Sequence, residues 1–174
     1  MIVSRIKGGI GNQLFIYAAS KRLALKNNVE LVLDTVSGFK YDKEFQRNYQ
    51  LDHFNISCRK ATAIERLEPF SRIRRYIKRN LNKKLPFEQR NYIQEESIAF
   101  EPKLLKLKPK GNVYIEGYWQ SEKYFKDVDL QIKHELNIFP LRDYKNLSIL
   151  SKIKNKVAIA VHFRFCDNSL IRSN

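Results

Sequence analysis

An α/β fold on a parallel sheet is what this sequence predicts, and three observations carry that expectation. An apolar segment, residues 2–6, runs through a glycine loop into a helical run. A second apolar segment, residues 29–34, follows that helix. A third, residues 111–117, enters another loop at Gly117. Strand, loop, helix and strand in this order make a parallel pair whose crossover helix covers one face of the sheet. The expected class is Rossmann-like.

Each element follows from its local pattern. Residues 2–6 read as strand, 13–27 as helix and 29–34 as a buried strand. Residues 35–60 interleave aromatic and charged side chains and read as irregular. Residues 61–84 read as helical with a break near Pro69. In their second half Ile73, Ile77 and Leu81 recur at i, i+4 and i+8, which predicts an amphipathic helix with a basic outer face. Residues 86–109 read as extended or loop structure with a short helix at 102–106, and 111–117 as strand. Residues 121–136 read as helix, with Asp127 and Asp129 early and Lys133 and His134 late, as a helix dipole favours. Residues 143–153 read as a further helix and 156–163 as a buried strand.

The loop Lys7-Gly8-Gly9-Ile10-Gly11-Asn12-Gln13 is the first candidate for chemistry. Glycines at a strand-to-helix joint let backbone N–H groups turn inward, and the helix start adds a positive dipole end. Together they suit a diphosphate, although a plain tight turn with Asn12 capping the helix fits the same residues. Gly9 and Gly11 also supply two glycines of the dinucleotide fingerprint, and Asp34 lies 23 residues beyond Gly11. The third glycine of that fingerprint is replaced by Leu14, which reads as a core residue.

Composition narrows the class. The chain has 174 residues, enough for one domain or one and a part, and 43% hydrophobic content argues against disorder. Its apolar runs, such as residues 157–161, are far short of the ~20 residues a membrane span needs. No secretory leader is visible, and Cys58 and Cys166 form neither a disulfide framework nor a metal-ligand spacing. A reducing, cytoplasmic setting without a structural metal is expected. The net charge of +15 is uneven: eleven Lys or Arg against three Glu lie between Arg59 and Arg90. Residues 72–84 are its densest part and the candidate peripheral contact with an anionic membrane at its inner face. No RNA-module or zinc-finger spacing supports a specific nucleic-acid partner.

Four stretches in order carry a resemblance. Gly8-Gly9-Ile10-Gly11-Asn12-Gln13-Leu14-Phe15-Ile16-Tyr17-Ala18 opens the series. Leu51-Asp52-His53-Phe54-Asn55-Ile56 and Gly117-Tyr118-Trp119-Gln120-Ser121-Glu122-Lys123-Tyr124-Phe125 follow, then Val161-His162-Phe163-Arg164. In these the chain resembles the bacterial α-1,2-fucosyltransferases, glycosyltransferase family 11. The resemblance implies inverting transfer of fucose from GDP-fucose to a galactose-containing glycan in surface polysaccharide synthesis, such as an O-antigen, with no metal or other cofactor. It implies a GT-B arrangement in which residues 1–140 are the N-terminal, acceptor-side domain. Residues 141–174 would then hold a linker helix and the first strand of the GDP-fucose-binding domain, leaving the chain truncated and its activity in question.

The resemblance also implies site residues. The family signature H-x-R-R-x-D stands here as His162-Phe163-Arg164-Phe165-Cys166-Asp167. Its first arginine, Arg164, is the expected catalytic stabiliser of the leaving diphosphate, because a guanidinium fork meets phosphate oxygens bidentately. The second arginine is replaced by Phe165, which removes one positive group. Gly9, Gly11, Asn12, Gln13, His162 and Asp167 are the expected substrate-binding residues. Asp52 and His53 are an acid/base pair by type only, and Tyr118 and Trp119 suit either core packing or stacking on an acceptor sugar. Two rival readings stand beside this one: a non-catalytic basic module for anionic lipid or nucleic acid, and a fragment of a dinucleotide-binding oxidoreductase.

Overall fold

A computed structural model describes residues 1–138, 143–159 and 161. The chain divides into two compact units, Met1–Phe139 and Pro140–Asn174. The first contains β1 (Ile2–Arg5), α1 (Ile10–Asn27), β2 (Leu31–Asp34), β3 (Arg59–Lys60), α2 (Ser71–Lys83), β4 (Tyr92–Gln94), α3 (Lys103–Lys106), β5 (Val113–Glu116) and α4 (Asp129–Glu135). The five strands form one sheet in the order β3-β2-β1-β5-β4, with every pairing parallel. The expected parallel α/β architecture is present and is Rossmann-like in kind.

Alternation along the strands sorts the core into two layers. Ile2, Leu33, Ile93 and Ile115 face a large cluster with Ile16, Tyr17, Leu23 and Trp119, while Val3, Val32, Tyr92 and Tyr114 face a smaller one with Ala61. The first layer lies under α1, where Ser4 Oγ and Ser20 Oγ bond at 2.7 Å. Leu14 packs against that layer, as a core residue should. Tyr17 OH donates to Glu135 Oε2 at 2.5 Å and Lys21 Nζ pairs with Glu135 Oε1 at 2.8 Å, which ties α4 to α1.

Several sequence expectations change. Strand β3 falls in a stretch read as irregular and β4 in one read as extended or loop, because each is only two or three residues long and owes its pairing to its neighbour in the sheet. The helix expected over 121–136 is two 3₁₀ turns, Glu122–Tyr124 and Lys126–Val128, followed by the short α4. Tyr124 packs edge-on against Trp119, and Asp127 is clamped by Arg22 Nη2 and Lys26 Nζ, both at 3.0 Å. These tertiary anchors override the helical pattern.

The orientation of α2 is the reverse of the sequence expectation. Ile73, Ile77 and Leu81 are 58%, 49% and 58% exposed, whereas Ser71, Arg75 and Asn82 are buried. Asn82 supplies the reason: its Oδ1 accepts from the N–H groups of Asn91 (2.7 Å) and Tyr92 (3.0 Å), satisfying the outer side of edge strand β4. The helix therefore turns a polar stripe to the sheet edge and leaves its apolar stripe outward.

In the second unit, α5 (Tyr144–Lys154) starts where expected, with Asp143 accepting from Asn146 N at 2.9 Å as N-cap. The strand expected over 156–163 is absent among the described residues of that segment. Val157, Ile159 and Val161 are 99%, 86% and 68% exposed and pair with no strand among the described residues. The remaining residues of that expected strand, including His162, lie outside the described residues, as do Arg164 and Asp167.

Candidate functional site

The order of strands fixes where a ligand would bind. The chain leaves β1 toward β2 on one side, while β5 and β4 lie on the other. β1 and β5 are thus neighbours within the sheet, and a crevice opens at their C-terminal ends, outside which ligands of parallel α/β sheets bind. Two loops meet there, residues 6–9 after β1 and 117–121 after β5. Asn12 Oδ1 accepts from Gln120 Nε2 at 2.6 Å across the junction, and Lys7 Nζ stands 4.5 Å from the Tyr118 ring centroid.

The glycines divide by role. Gly8 has φ +77°, and a Cβ there would come 2.8 Å from Asn12 Nδ2 and 3.1 Å from Tyr118 Cε1, so this position requires glycine. Gly9 is the helix N-cap, and neither it nor Gly11 has a heavy atom within 4 Å of where a Cβ would lie. Helix α1 thus begins at Ile10, three residues before the expected start, and Asn12 is a first-turn residue with no capping role. Gln13 N is the first donor inside the helix, to Gly9 O at 3.0 Å. Among the described residues the N–H groups of Ile10, Gly11 and Asn12 are consequently the unpaired first-turn donors, beside open space at Gly9 and Gly11.

Gln13, by contrast, is wholly buried. Its Nε2 donates to Gly8 O and Asn48 O, both at 2.9 Å, and its Oε1 accepts from Gln50 N at 3.0 Å. Its side chain thereby ties the glycine loop, at Gly8, to the segment at residues 48–50. Across the junction Glu95 does the same for the second loop, accepting from Tyr118 N at 2.6 Å and Trp119 N at 2.9 Å. Trp119 holds a left-handed backbone (φ 52°) and is buried in the core, so its ring packs inward. Its indole Nε1 has no hydrogen-bond partner among the described residues.

Charge is concentrated at this edge. Lys7, Glu95, Glu96, Glu116 and Tyr118 line a cavity of about 240 Å³ beside the glycine loop. Burial lowers the Lys7 ammonium from its ordinary value, opposed by Glu116 and Glu95. Burial would raise the Glu116 carboxyl, but Arg5, the Tyr92 hydroxyl and Lys7 outweigh it and hold the group below the usual range. A second cavity, about 490 Å³, is lined by Phe87, Glu95, Phe100, Glu101 and Trp119. A third, about 500 Å³ beside Lys21, Glu30 and Cys58, lies at the start of β2, at the opposite end of the strands. Among the described residues no three His, Cys, Asp or Glu side chains gather to hold a metal ion, and no helix is long and apolar enough to cross a membrane.

Two sequence-based candidates take other roles. Asp34 is buried, and its carboxylate accepts from Val36 N, Ser37 N, Ser37 Oγ and Tyr114 OH, at 3.2, 2.9, 2.5 and 2.6 Å. Its acceptor sites are filled from within the chain, which counts against the ribose contact of the dinucleotide reading. Asp52 is paired with Lys60 on the surface at 2.8 Å. Gln120 was missed in the sequence; its position after a strand-ending glycine, opposite the first loop, becomes informative only once the strand order is known.

The chain is similar to an α-1,2-colitosyltransferase of Escherichia coli, 27% identical over 164 residues that make up 92% of this chain and 53% of that protein. It therefore spans about half the length of this curated relative. No protein-family model matches the chain, and no solved structure matches it. The similarity is to a glycosyltransferase.

Proposed function

We propose that this chain is the acceptor-side part of a GT-B glycosyltransferase. It moves a deoxy sugar, fucose in the first instance, from its GDP donor to a hydroxyl of a galactose-containing surface glycan. Residues 1–140 form the acceptor-side domain and 141–174 open the donor-binding domain. One observation carries the reading: unpaired first-turn donors of α1 beside open space at the C-terminal ends of β1 and β5, braced by Gln13 and facing a second loop through Asn12 and Gln120. The colitosyltransferase similarity supports the same class of chemistry and makes a colitose donor the first alternative to GDP-fucose.

The reaction asks little covalent work of the protein. The acceptor oxygen bonds to the anomeric carbon on the face opposite the leaving group, the carbon–oxygen bond to the diphosphate breaks, and GDP departs with the electron pair. The acceptor proton passes to a base. The N–H groups of Ile10, Gly11 and Asn12 are suited to a diphosphate oxygen, and Arg164 supplies the positive charge that stabilises the departing diphosphate. His162 and Asp167 serve the same donor.

Calorimetric titration with GDP tests this. Arg164→Ala should weaken binding by ~10-fold or more, the usual cost of a hydrogen bond to a charged group, and Asn12→Ala, which keeps its N–H but breaks the Asn12–Gln120 bond between the two loops, should weaken it as well. GDP binding indifferent to both changes, or preferential binding of a nicotinamide dinucleotide, overturns the reading.

A membrane contact accompanies it. Phe70, Ile73, Ile77 and Leu81 are exposed on α2 between basic residues, and Ile64, Phe70 and Ile73 line an apolar groove of about 680 Å³. An outward apolar stripe with basic flanks suits a helix lying in the interface of an anionic bilayer.

A further inference from the structure

Helix α2 carries a second stripe. Arg72, Arg75 and Arg79 recur at i, i+3 and i+7 and so share one face. With Arg5, Tyr41, Tyr76 and Glu116 they line a cavity of about 470 Å³ near the C-terminal ends of β1 and β5. Arg75 is only 7% exposed, and its Nη1 is buried with no hydrogen-bond partner among the described residues.

The charges of this cavity do not cancel. Glu116 is its only carboxylate, and that group is already paired with Arg5 and accepts from the Tyr92 hydroxyl. Arg5 is fully committed as well, donating from Nε to Ser37 Oγ at 3.0 Å and from Nη2 to Ser37 O at 2.7 Å. Arg79 has a single long bond, 3.3 Å from Nη1 to Gln94 Oε1. Three guanidinium groups thus face one cavity with no free anion among the described residues. A buried unpaired cation is costly, and the group that removes the cost is an anion with several oxygens that accepts the arginine forks. At the rim Tyr41 and Tyr76 are 56% and 59% exposed, offering flat apolar faces with hydroxyl tips.

We propose that this cavity binds the phosphate of a phosphorylated saccharide, with Arg75 at its floor, Arg72 and Arg79 closing on the phosphate oxygens, and the tyrosines flanking the sugar. The shared chemistry is a sugar phosphate ester, either free in solution or anchored in a lipid. Within the transferase reading this is the phosphate end of the acceptor, and that assignment rests on the reading; phosphate binding itself does not. The stripe also explains why a helix so basic turns arginine toward the sheet.

Calorimetry at constant ionic strength with inorganic pyrophosphate and with glucose 1-phosphate, and flotation with phosphatidylcholine vesicles doped with phosphatidic acid, test the site. Saturable binding is expected, weakened ~10-fold or more in Arg72→Gln/Arg79→Gln, whose changes are not in the core, and in Arg75→Gln. Arg75→Lys should also weaken it, since the charge stays and the fork is lost. Lys108→Gln/Lys110→Gln, which removes the same charge outside both the cavity and α2, should bind as the wild type does. Binding of glucose 1-phosphate assigns a soluble ester, and arginine-dependent binding of phosphatidic acid alone assigns a lipid-borne one. No saturable binding of any probe, or equal loss in the lysine pair, overturns the proposal. Asn12→Ala should leave phosphate binding intact while weakening GDP, so the two sites fail separately.

Discussion

Gly117 and Gly11 show how differently two glycines of one loop system are used. A Cβ on Gly117 would come 2.5 Å from Glu95 Cβ and 2.7 Å from Trp119 Cε2, so Gly117→Ala must displace the carboxylate that holds Tyr118 N and Trp119 N. Overpacking of this kind costs ~1–3 kcal/mol, and a urea midpoint lowered to match is the expected outcome; an unchanged midpoint would show the loop is not wedged there. Gly11→Ala meets nothing within 4 Å. It should keep or slightly raise stability, by up to ~1 kcal/mol as a helix position gains alanine, while narrowing the approach to the first-turn donors. The same chemical change thus separates a packing glycine from a site glycine. From sequence both were members of motifs, and only the built geometry tells which is held by its neighbours.

At the level of elements, the Arg22–Asp127 clamp decides how the chain runs from β5 to α4. Hydrogen bonds from Arg22, then from Lys26, lower the Asp127 carboxyl from an ordinary 3.8 to about 2. A carboxyl depressed in the folded state contributes stability that is present above the ordinary value and lost as pH falls through the depressed one. Asp127→Asn should therefore lower thermal stability relative to wild type at neutral pH, with the gap closing between about pH 4 and pH 2. A gap independent of pH would mean the clamp acts by shape alone. This region also marks where sequence legibility ends. Strands β1, β2 and β5, helix α1 and the start of α5 were legible, because apolar runs and glycines act locally. The two-residue β3 and the paired 3₁₀ turns were not, and β4 was legible only as extended or loop structure, since each takes its form from a partner distant in sequence. Helix α2 was legible as a helix and misread in rotation, because Asn82 acts on an edge strand that the pattern does not announce.

For the molecule as a whole, a net charge of +15 and an outward apolar stripe reinforce each other. Lipid binding should combine salt-sensitive attraction with a salt-resistant apolar share. Ile77→Glu, on an exposed position, is expected to weaken binding to anionic vesicles by ~10-fold or more without lowering the melting temperature; vesicle binding unaltered by that change would remove the membrane contact and leave the cleft chemistry untouched. The candidate site was half legible: the glycine loop and Asn12 announced themselves, whereas Gln120, Glu95 and the arginine cavity required the strand order. One consequence comes from the shortness of the two outermost strands, two residues in β3 and three in β4. A stranger's backbone finds almost no ladder to extend at either flank, and one rung is already occupied by Asn82. Crowded preparations of this protein should therefore clump through the greasy ridge of α2, reversibly and detergent-sensitively, instead of growing into fibrils.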